Sequence, residues 1–180
     1  MNLIKIICTG FLALVFSGLS AQENPLWMRY PAISPDGKTI AFCYKGDIYK
    51  VPAKGGTAIQ LTTQESYEST PVWSPDGKQI AFASDRYGNF DVFVMPANGG
   101  TAQRLTTHSA GEIPSAFTPD GKYILFSAAI QDPAESALFP RSAMTELYKV
   151  SVTGGRTEQV LGTPAEAVCF DKSGELFFYQ

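Results

Sequence analysis

The chain has 180 residues, with 14 Lys and Arg against 17 Asp and Glu and a formal net charge of −3. This mild acidity, with no basic stripe or cluster of Lys and Arg, excludes nucleic acid as the main partner because nothing is there to neutralise phosphates. A single histidine, His108, has no second histidine with which to build a zinc site.

At the N-terminus, Lys5 is followed by an apolar run from Ile6 to Phe16 and then by Ser17, Gly18, Leu19, Ser20 and Ala21. Charged, apolar, then small is the order of a secretory signal peptide. The run is shorter than the roughly 18 to 20 residues that span a bilayer. Residues 1–21 are therefore read as a leader cleaved near Ser20 or Ala21, with no membrane span left after its removal. Losing Lys5 takes the net charge from −3 to −4, and the mature chain is expected to be periplasmic or otherwise exported. Cys8 stands at the start of the apolar run, where lipidation does not fit.

Beyond the leader the chain repeats itself. Ser34-Pro-Asp-Gly37-Lys, Ser74-Pro-Asp-Gly77-Lys and Thr118-Pro-Asp-Gly121-Lys each precede an apolar strand, and a weaker copy is Asp171-Lys-Ser-Gly174-Glu. The marker glycines 37, 77, 121 and 174 lie 40, 44 and 53 residues apart, and the first two spacings match the roughly 40 to 45 residues of a four-stranded propeller blade. A second marker keeps step: Gly55-Gly56, Gly99-Gly100 and Gly154-Gly155. Two turns per period mean at least two hairpins per unit. In the first turn, proline presets φ, aspartate bonds its own backbone, glycine accepts a positive φ, and the leading Ser or Thr caps with its hydroxyl.

In chain order, the first blade is expected to use strands at about 29–33, 38–44, 47–52 and 58–62, and the second at about 69–73, 78–84, 90–96 and 102–106. The third follows at about 113–117, 122–128, 145–151 and 156–161, and the fourth begins at 167–170. Bulky Ile40, Phe42 and Tyr44 alternate with Ala41 and Cys43, so both faces of each sheet are apolar, as in a sheet packed between neighbours. The fold class is all-β: a partial β-propeller of about three and a half four-stranded blades of a longer ring. Residues 22–180 form this incomplete propeller, with blades at about 27–63, 67–107, 111–163 and 165–180. Propellers close with roughly four to eight blades, so the chain is expected to be the N-terminal part of a longer protein.

The residues that tempt a chemical reading have plainer ones. His108 reads as a solvated loop residue. Asp85-Arg-Tyr-Gly-Asn-Phe-Asp91 alternates oxygen side chains as a calcium loop does, yet Phe90 stands where glycine is needed and Ala97 where a bidentate glutamate is needed. It reads as a hairpin loop. No Gly-x-Ser-x-Gly elbow occurs, and Ser34 and Ser74 are used by turns. Cys43 aligns with Ala83 and Ser127, and Cys169 with Val72 and Ala116, so two free, core-packed thiols are expected rather than a bridge. No catalytic, cofactor-binding or metal-binding residue is assigned in the chain. An insertion at 129–144 stretches the third period, and its Leu138, Phe139 and Met144 suggest packing on another domain or at a rim.

The units Tyr30-Pro-Ala-Ile-Ser-Pro-Asp-Gly-Lys-Thr-Ile-Ala-Phe42, Gly46-Asp-Ile-Tyr-Lys-Val-Pro-Ala-Lys-Gly-Gly56 and Pro71-Val-Trp-Ser-Pro-Asp-Gly-Lys-Gln-Ile-Ala-Phe-Ala-Ser-Asp-Arg86 resemble the repeats of the TolB and tricorn class of propellers. TolB carries an α/β domain between leader and propeller, whereas here the first blade strand follows the leader by about eight residues, as tricorn-like peptidases begin. The resemblance implies the N-terminal propeller of an exported tricorn-like serine peptidase. Such a propeller guides or gates peptides and unfolded chains toward downstream PDZ-like and peptidase domains, and needs no cofactor of its own. The resemblance also leaves open a non-enzymatic periplasmic binding propeller, or the propeller of a prolyl-oligopeptidase-type enzyme.

Overall fold

The computed structural model describes residues 27–130, 145–165, 167–171 and 173–179. The expected leader at 1–21 and most of the expected insertion, 131–144, lie outside the described residues. Among the described residues every regular element is a strand. The first sheet holds β1 (Arg29–Ile33), β2 (Thr39–Tyr44), β3 (Asp47–Pro52) and β4 (Ile59–Gln60). The second holds β5 (Glu68–Trp73), β6 (Gln79–Ser84), β7 (Asp91–Pro96) and β8 (Gln103–Arg104). The third holds β9 (Glu112–Phe117), β10 (Tyr123–Ala128), β11 (Glu146–Ser151) and β12 (Glu158–Pro164), and β13 (Ala167–Phe170) pairs with β14 (Leu176–Tyr179). Each four-stranded sheet is an antiparallel meander in chain order. The leading strands pack in succession, β1 on β5, β5 on β9 and β9 on β13, so the blades form an open arc: a partial β-propeller.

The repeated turn is built as its residues require. In the first copy the Ser34 hydroxyl donates to Asp36 Oδ1 (2.6 Å), and the same oxygen accepts the Lys38 N–H (3.0 Å). Ser34 Oγ in turn accepts the Thr39 N–H (3.0 Å), and Gly37 takes φ 71°. Ser74 with Asp76 and Thr118 with Asp120 repeat this. In the fourth copy the aspartate moves to the leading position, and Asp171 Oδ1 accepts from the Ser173 hydroxyl, the Ser173 N–H and the Glu175 N–H. A side chain thus ties each first hairpin shut through bonds that span five residues or fewer.

The alternation of bulky and small residues decides how blades meet. Ile80, Phe82, Phe93 and Met95 of the second blade pack on Ala41, Cys43 and Ile48 of the first. Ile124, Phe126, Tyr148 and Val150 of the third pack on Ala81, Val92 and Val94. Small residues let the sheets approach, and each large side chain so buried contributes roughly 1.5–3 kcal/mol. A cross-strand aromatic pair recurs at one register in every blade: Phe42–Tyr49, Phe82–Phe93 and Phe126–Tyr148, with centroids 5.7–5.8 Å apart.

Two expectations are corrected. The outer strands expected at 58–62 and 102–106 are regular only over Ile59–Gln60 and Gln103–Arg104. The Leu61 and Leu105 N–H groups still donate to Ile48 O and Val92 O (2.8 Å each), and then a hydroxyl replaces the next ladder carbonyl. Thr62 Oγ1 accepts the Ile48 N–H (2.9 Å) and Thr106 Oγ1 the Val92 N–H (2.8 Å). The third blade has Leu161 at this position, with no hydroxyl to offer, and β12 continues to Pro164. The second correction concerns the thiols: both Cys43 and Cys169 are free, but only Cys43 is buried. Strand alternation sends Val168 and Phe170 toward Leu125 and Leu147, which leaves Cys169 on the opposite face.

The leading strands carry a bulge. Register slips by one residue between Arg29 and Ala32 and between Ser69 and Val72, with Tyr30 at φ 51° and Thr70 at φ 47°. Both precede a proline, Pro31 and Pro71. In β9 the proline itself, Pro114, occupies that place, where its ring forbids a positive φ.

Candidate functional site: the loop end of the blades

Because strands alternate in direction, each blade has two ends with different chemistry. The Ser/Thr-Pro-Asp-Gly turns and the Gly-Gly turns gather at one. At the other lie the β2–β3 and β6–β7 connections, the links between blades, and the first residues of the leading strands. The repeated motif therefore stands away from the end described next.

At that end a cleft of 260 Å³ opens between the first and second blades, with Trp27, Arg29, Tyr44, Lys45 and Tyr67 around it and Cys43 at its floor. The Arg29 guanidinium lies over the Trp27 ring (5.4 Å) and the Lys45 ammonium over the Tyr44 ring (5.3 Å), so two cations are held against aromatic faces. Trp27 is 75% exposed, and no carboxylate lines the cleft. Trp27 (φ 77°) and Lys45 (φ 52°) adopt the left-handed conformation, at about 1–2 kcal/mol each for a residue with a Cβ. Backbone strain of this kind collects where a loop is held for use. Trp27 and Tyr67 are repeat equivalents, whereas the third blade has Gly111 there. Only comparison of the copies reveals this, and the sequence reading passed over it.

Beneath the loops lies a second layer, of buried charge, which was also missed. The registers Tyr44↔Asp47, Ser84↔Asp91 and Ala128↔Glu146 make the three acids equivalent, each heading a third strand. Each faces a polar residue of the outer strand: Gln60 donates to Asp47 (2.9 Å), Arg104 pairs with Asp91 (2.8 Å), and Gln159 donates to Glu146 (2.9 Å). Glu68 and Glu112, also equivalent, head the leading strands of the second and third blades and are fully buried. Glu68 is paired with Arg86, whose guanidinium also sits 4.4 Å over Phe93 and whose Nε donates to Ser84 Oγ. At the place of Arg86, two residues past the second strand, the third blade has Ile130.

The electrostatics follow. Burial raises the Glu68 carboxyl above its ordinary value, opposed by Thr62 and Arg86. Burial pushes Glu112 up to about 7, with the Asp91 carboxylate adding to the rise and the Thr106 side chain, the His108 backbone and the Arg104 charge opposing it. Burial, with the Glu68 charge, pushes the Cys43 thiol up to about 12, so it stays protonated and a poor nucleophile.

The residues weighed in the sequence are not brought together. His108 is exposed in the β8–β9 link, its Nδ1 accepting the Ala110 N–H (3.0 Å). Asp85 accepts the Tyr67 N–H (2.7 Å), and Asp91 is spent on Arg104. Among the described residues no group of three or more His, Cys, Asp and Glu is arranged to hold a metal, and no helix is long and apolar enough to cross a membrane.

Meandering four-stranded sheets stacked through their leading strands, with the loops gathered at one end, are the blades of a β-propeller. The chain belongs to the tricorn protease N-terminal beta propeller domain family, whose model matches residues 25–180. It is 33% identical over 71 residues to Tricorn protease homolog 1 of Streptomyces coelicolor, covering 39% of this chain and 6% of that protein. It is 35% identical over 68 residues to Dipeptidyl-peptidase 5 of Porphyromonas gingivalis, covering 32% of this chain and 10% of that one. The chain thus matches only a small part of these relatives. Among solved structures it resembles the tricorn protease (TM-score 0.66, 23% identity, 84% of this chain and 15% of that one). It also resembles TolB from Acinetobacter baumannii (TM-score 0.60, 22% identity, 81% and 35%). These two likenesses concern the fold.

Proposed function

We propose that this chain is the propeller portion of an exported, tricorn-like serine peptidase, that it guides peptides or unfolded chains toward a peptidase domain elsewhere in the protein, and that it supplies no catalytic residue. The observation that carries the reading is membership of the tricorn propeller family across residues 25–180. The two sequence relatives named above are a protease homolog and a peptidase, which agrees with it. Export rests on the leader-like order of residues 1–21, and downstream PDZ-like and peptidase modules are what such a propeller serves.

The aromatic and cationic cleft at the loop end supports the guiding role. Rigid rings offer sequence-tolerant contact area to an extended chain, and Arg29 and Lys45 can hold its carbonyl or carboxylate oxygens. The test is kinetic, in the full-length protein. Trp27→Ala combined with Lys45→Ala should raise KM for a long unfolded polypeptide several-fold while leaving kcat/KM on a short peptide unchanged. Unchanged KM for the long substrate would remove the guiding role. A full-length protein that cleaves neither substrate, with or without the substitutions, would remove the peptidase reading and leave a binding propeller.

A further inference from the structure

The first two blade junctions each contain a blade-heading glutamate, a strand-heading aspartate and one arginine, but they use the arginine differently, and only at the second are both carboxylates buried. At the first, Arg86 neutralises the blade-heading Glu68, and the strand-heading Asp47 is served by Gln60 and Thr62. At the second, Arg104 is drawn to Asp91, and the place of Arg86 is taken by apolar Ile130. The blade-heading Glu112 is fully buried there, and neither of its carboxylate oxygens has a hydrogen-bond partner among the described residues. An ionised carboxylate in that state is one of the most costly groups a core can hold.

We infer that the junction between the second and third blades is a proton-binding joint: Glu112 is neutral while the two blades are closed on each other, and the packing there loosens when the proton leaves. Burial and the Asp91 charge favour this, and the Thr106 side chain, the His108 backbone and the Arg104 charge oppose it without cancelling it. Asp91 on β7 presents a second negative charge, and Arg104 on β8 is already committed to Asp91. On β10, Ala128 stands opposite Glu112, with Ile130 beyond. Glu146 on β11, in the same cross-strand row, is held by the Tyr148 hydroxyl (2.6 Å) and Gln159. Glu68 on β5 has its own arginine. The His108 backbone lies near, while its ring is turned to the Ala110 N–H. Burial acts in the same direction, lifting Glu112 to about 7 from an ordinary 4.5. A raised carboxyl value means the folded junction binds a proton that the open one does not, so closure is favoured below the raised value and weakens as pH rises through it.

The joint carries reporters. The Glu112 N–H donates to Phe90 O (2.8 Å) and the Val92 N–H to Thr106 Oγ1 (2.8 Å), both across this junction or beside it. The Glu68 N–H, bonded to Gly46 O (2.7 Å), is the matching reporter at the first junction. Amide exchange in the full chain, corrected for intrinsic chemistry, should show protection at Glu112 and Val92 falling about a hundredfold from pH 5 to pH 8, with a smaller fall at Glu68. Glu112→Gln keeps the shape and leaves His108 in place, and should make protection at the second junction flat with pH. A flat profile in the native chain, or the same fall in Glu112→Gln, overturns the inference. Should that variant fail to fold, a carboxyl-carbon NMR titration of native Glu112 decides: a midpoint near 7 supports the joint, and one near 4.5 overturns it.

Discussion

Replacing Arg86 by methionine would rebuild the first blade junction in the image of the second. The guanidinium pairs with a fully buried glutamate, Glu68, donates to Ser84, and lies 4.4 Å from the centroid of Phe93. Methionine keeps much of the volume, so packing loss is small. Two effects remain. The lost cation–π contact removes about 0.5–1 kcal/mol, independent of pH. The orphaned carboxylate costs about 3–5 kcal/mol while it stays ionised. Glu68 is already raised by burial against the opposing pull of Thr62 and Arg86, so removing Arg86 raises it further. A raised carboxyl contributes stability when protonated and loses it as pH climbs through the folded value. The expected loss is therefore about 4 kcal/mol at pH 8, shrinking toward about 1 kcal/mol at pH 5, where Glu68 can take up a proton. Urea unfolding at the two pH values reads this directly. Trp73 fluorescence is a suitable probe, because its indole N–H donates to Ala32 O across the same junction. Adding Glu68→Gln should recover most of the loss at pH 8 and abolish its pH dependence. Equal losses at both pH values, or a double variant no better than Arg86→Met, would refute the assignment of Arg86 as the neutralising partner.

The turn glycines give a contrast with little steric confusion. Gly77→Ala meets only the Pro35 ring at 3.7 Å but must hold φ 69°, so a loss of about 1–2 kcal/mol is expected, whereas Gly111→Ala, with open space and no positive φ, should be neutral or slightly stabilising in the same unfolding assay. The cysteines should separate by reactivity: exposed Cys169 should react with a thiol reagent in the native protein, while Cys43, buried and raised to about 12, should react only on unfolding. Equal rates would place Cys43 in a more open junction than described.

Local information carried the blade architecture. Ser34, Asp36 and Gly37 close a hairpin through bonds spanning five residues or fewer, and the copies at 74 and 118 do the same, so the turn could be derived without knowing what packs around it. The bulky and small alternation likewise follows from neighbours along one strand. The outer strands were harder. Whether Thr62 continues a ladder or ends it depends on the Ile48 N–H fourteen residues away, and the contrast with Leu161 becomes meaningful only once the blades are superposed. Cys169 was misplaced for a related reason: its equivalents Val72 and Ala116 are covered in their own sheets, and equivalence in the repeat does not guarantee a covering neighbour.

By itself the sequence determined an all-β chain of repeated antiparallel hairpins, because turn chemistry and strand alternation act over a handful of residues and recur at a readable period. The tertiary structure decided which charged side chains are buried and which of them find a partner. Glu68 and Glu112 look alike in their repeats, and both are charged residues of the kind usually met on a surface. Stacking the blades buries both, while within each blade the place two residues past the second strand holds Arg86 for Glu68 and apolar Ile130 for Glu112. Arg86 stands eighteen residues from Glu68, just past the partner strand of the same hairpin, so the contrast with Ile130 has meaning only once the blades are superposed and the burial of both carboxyls is known.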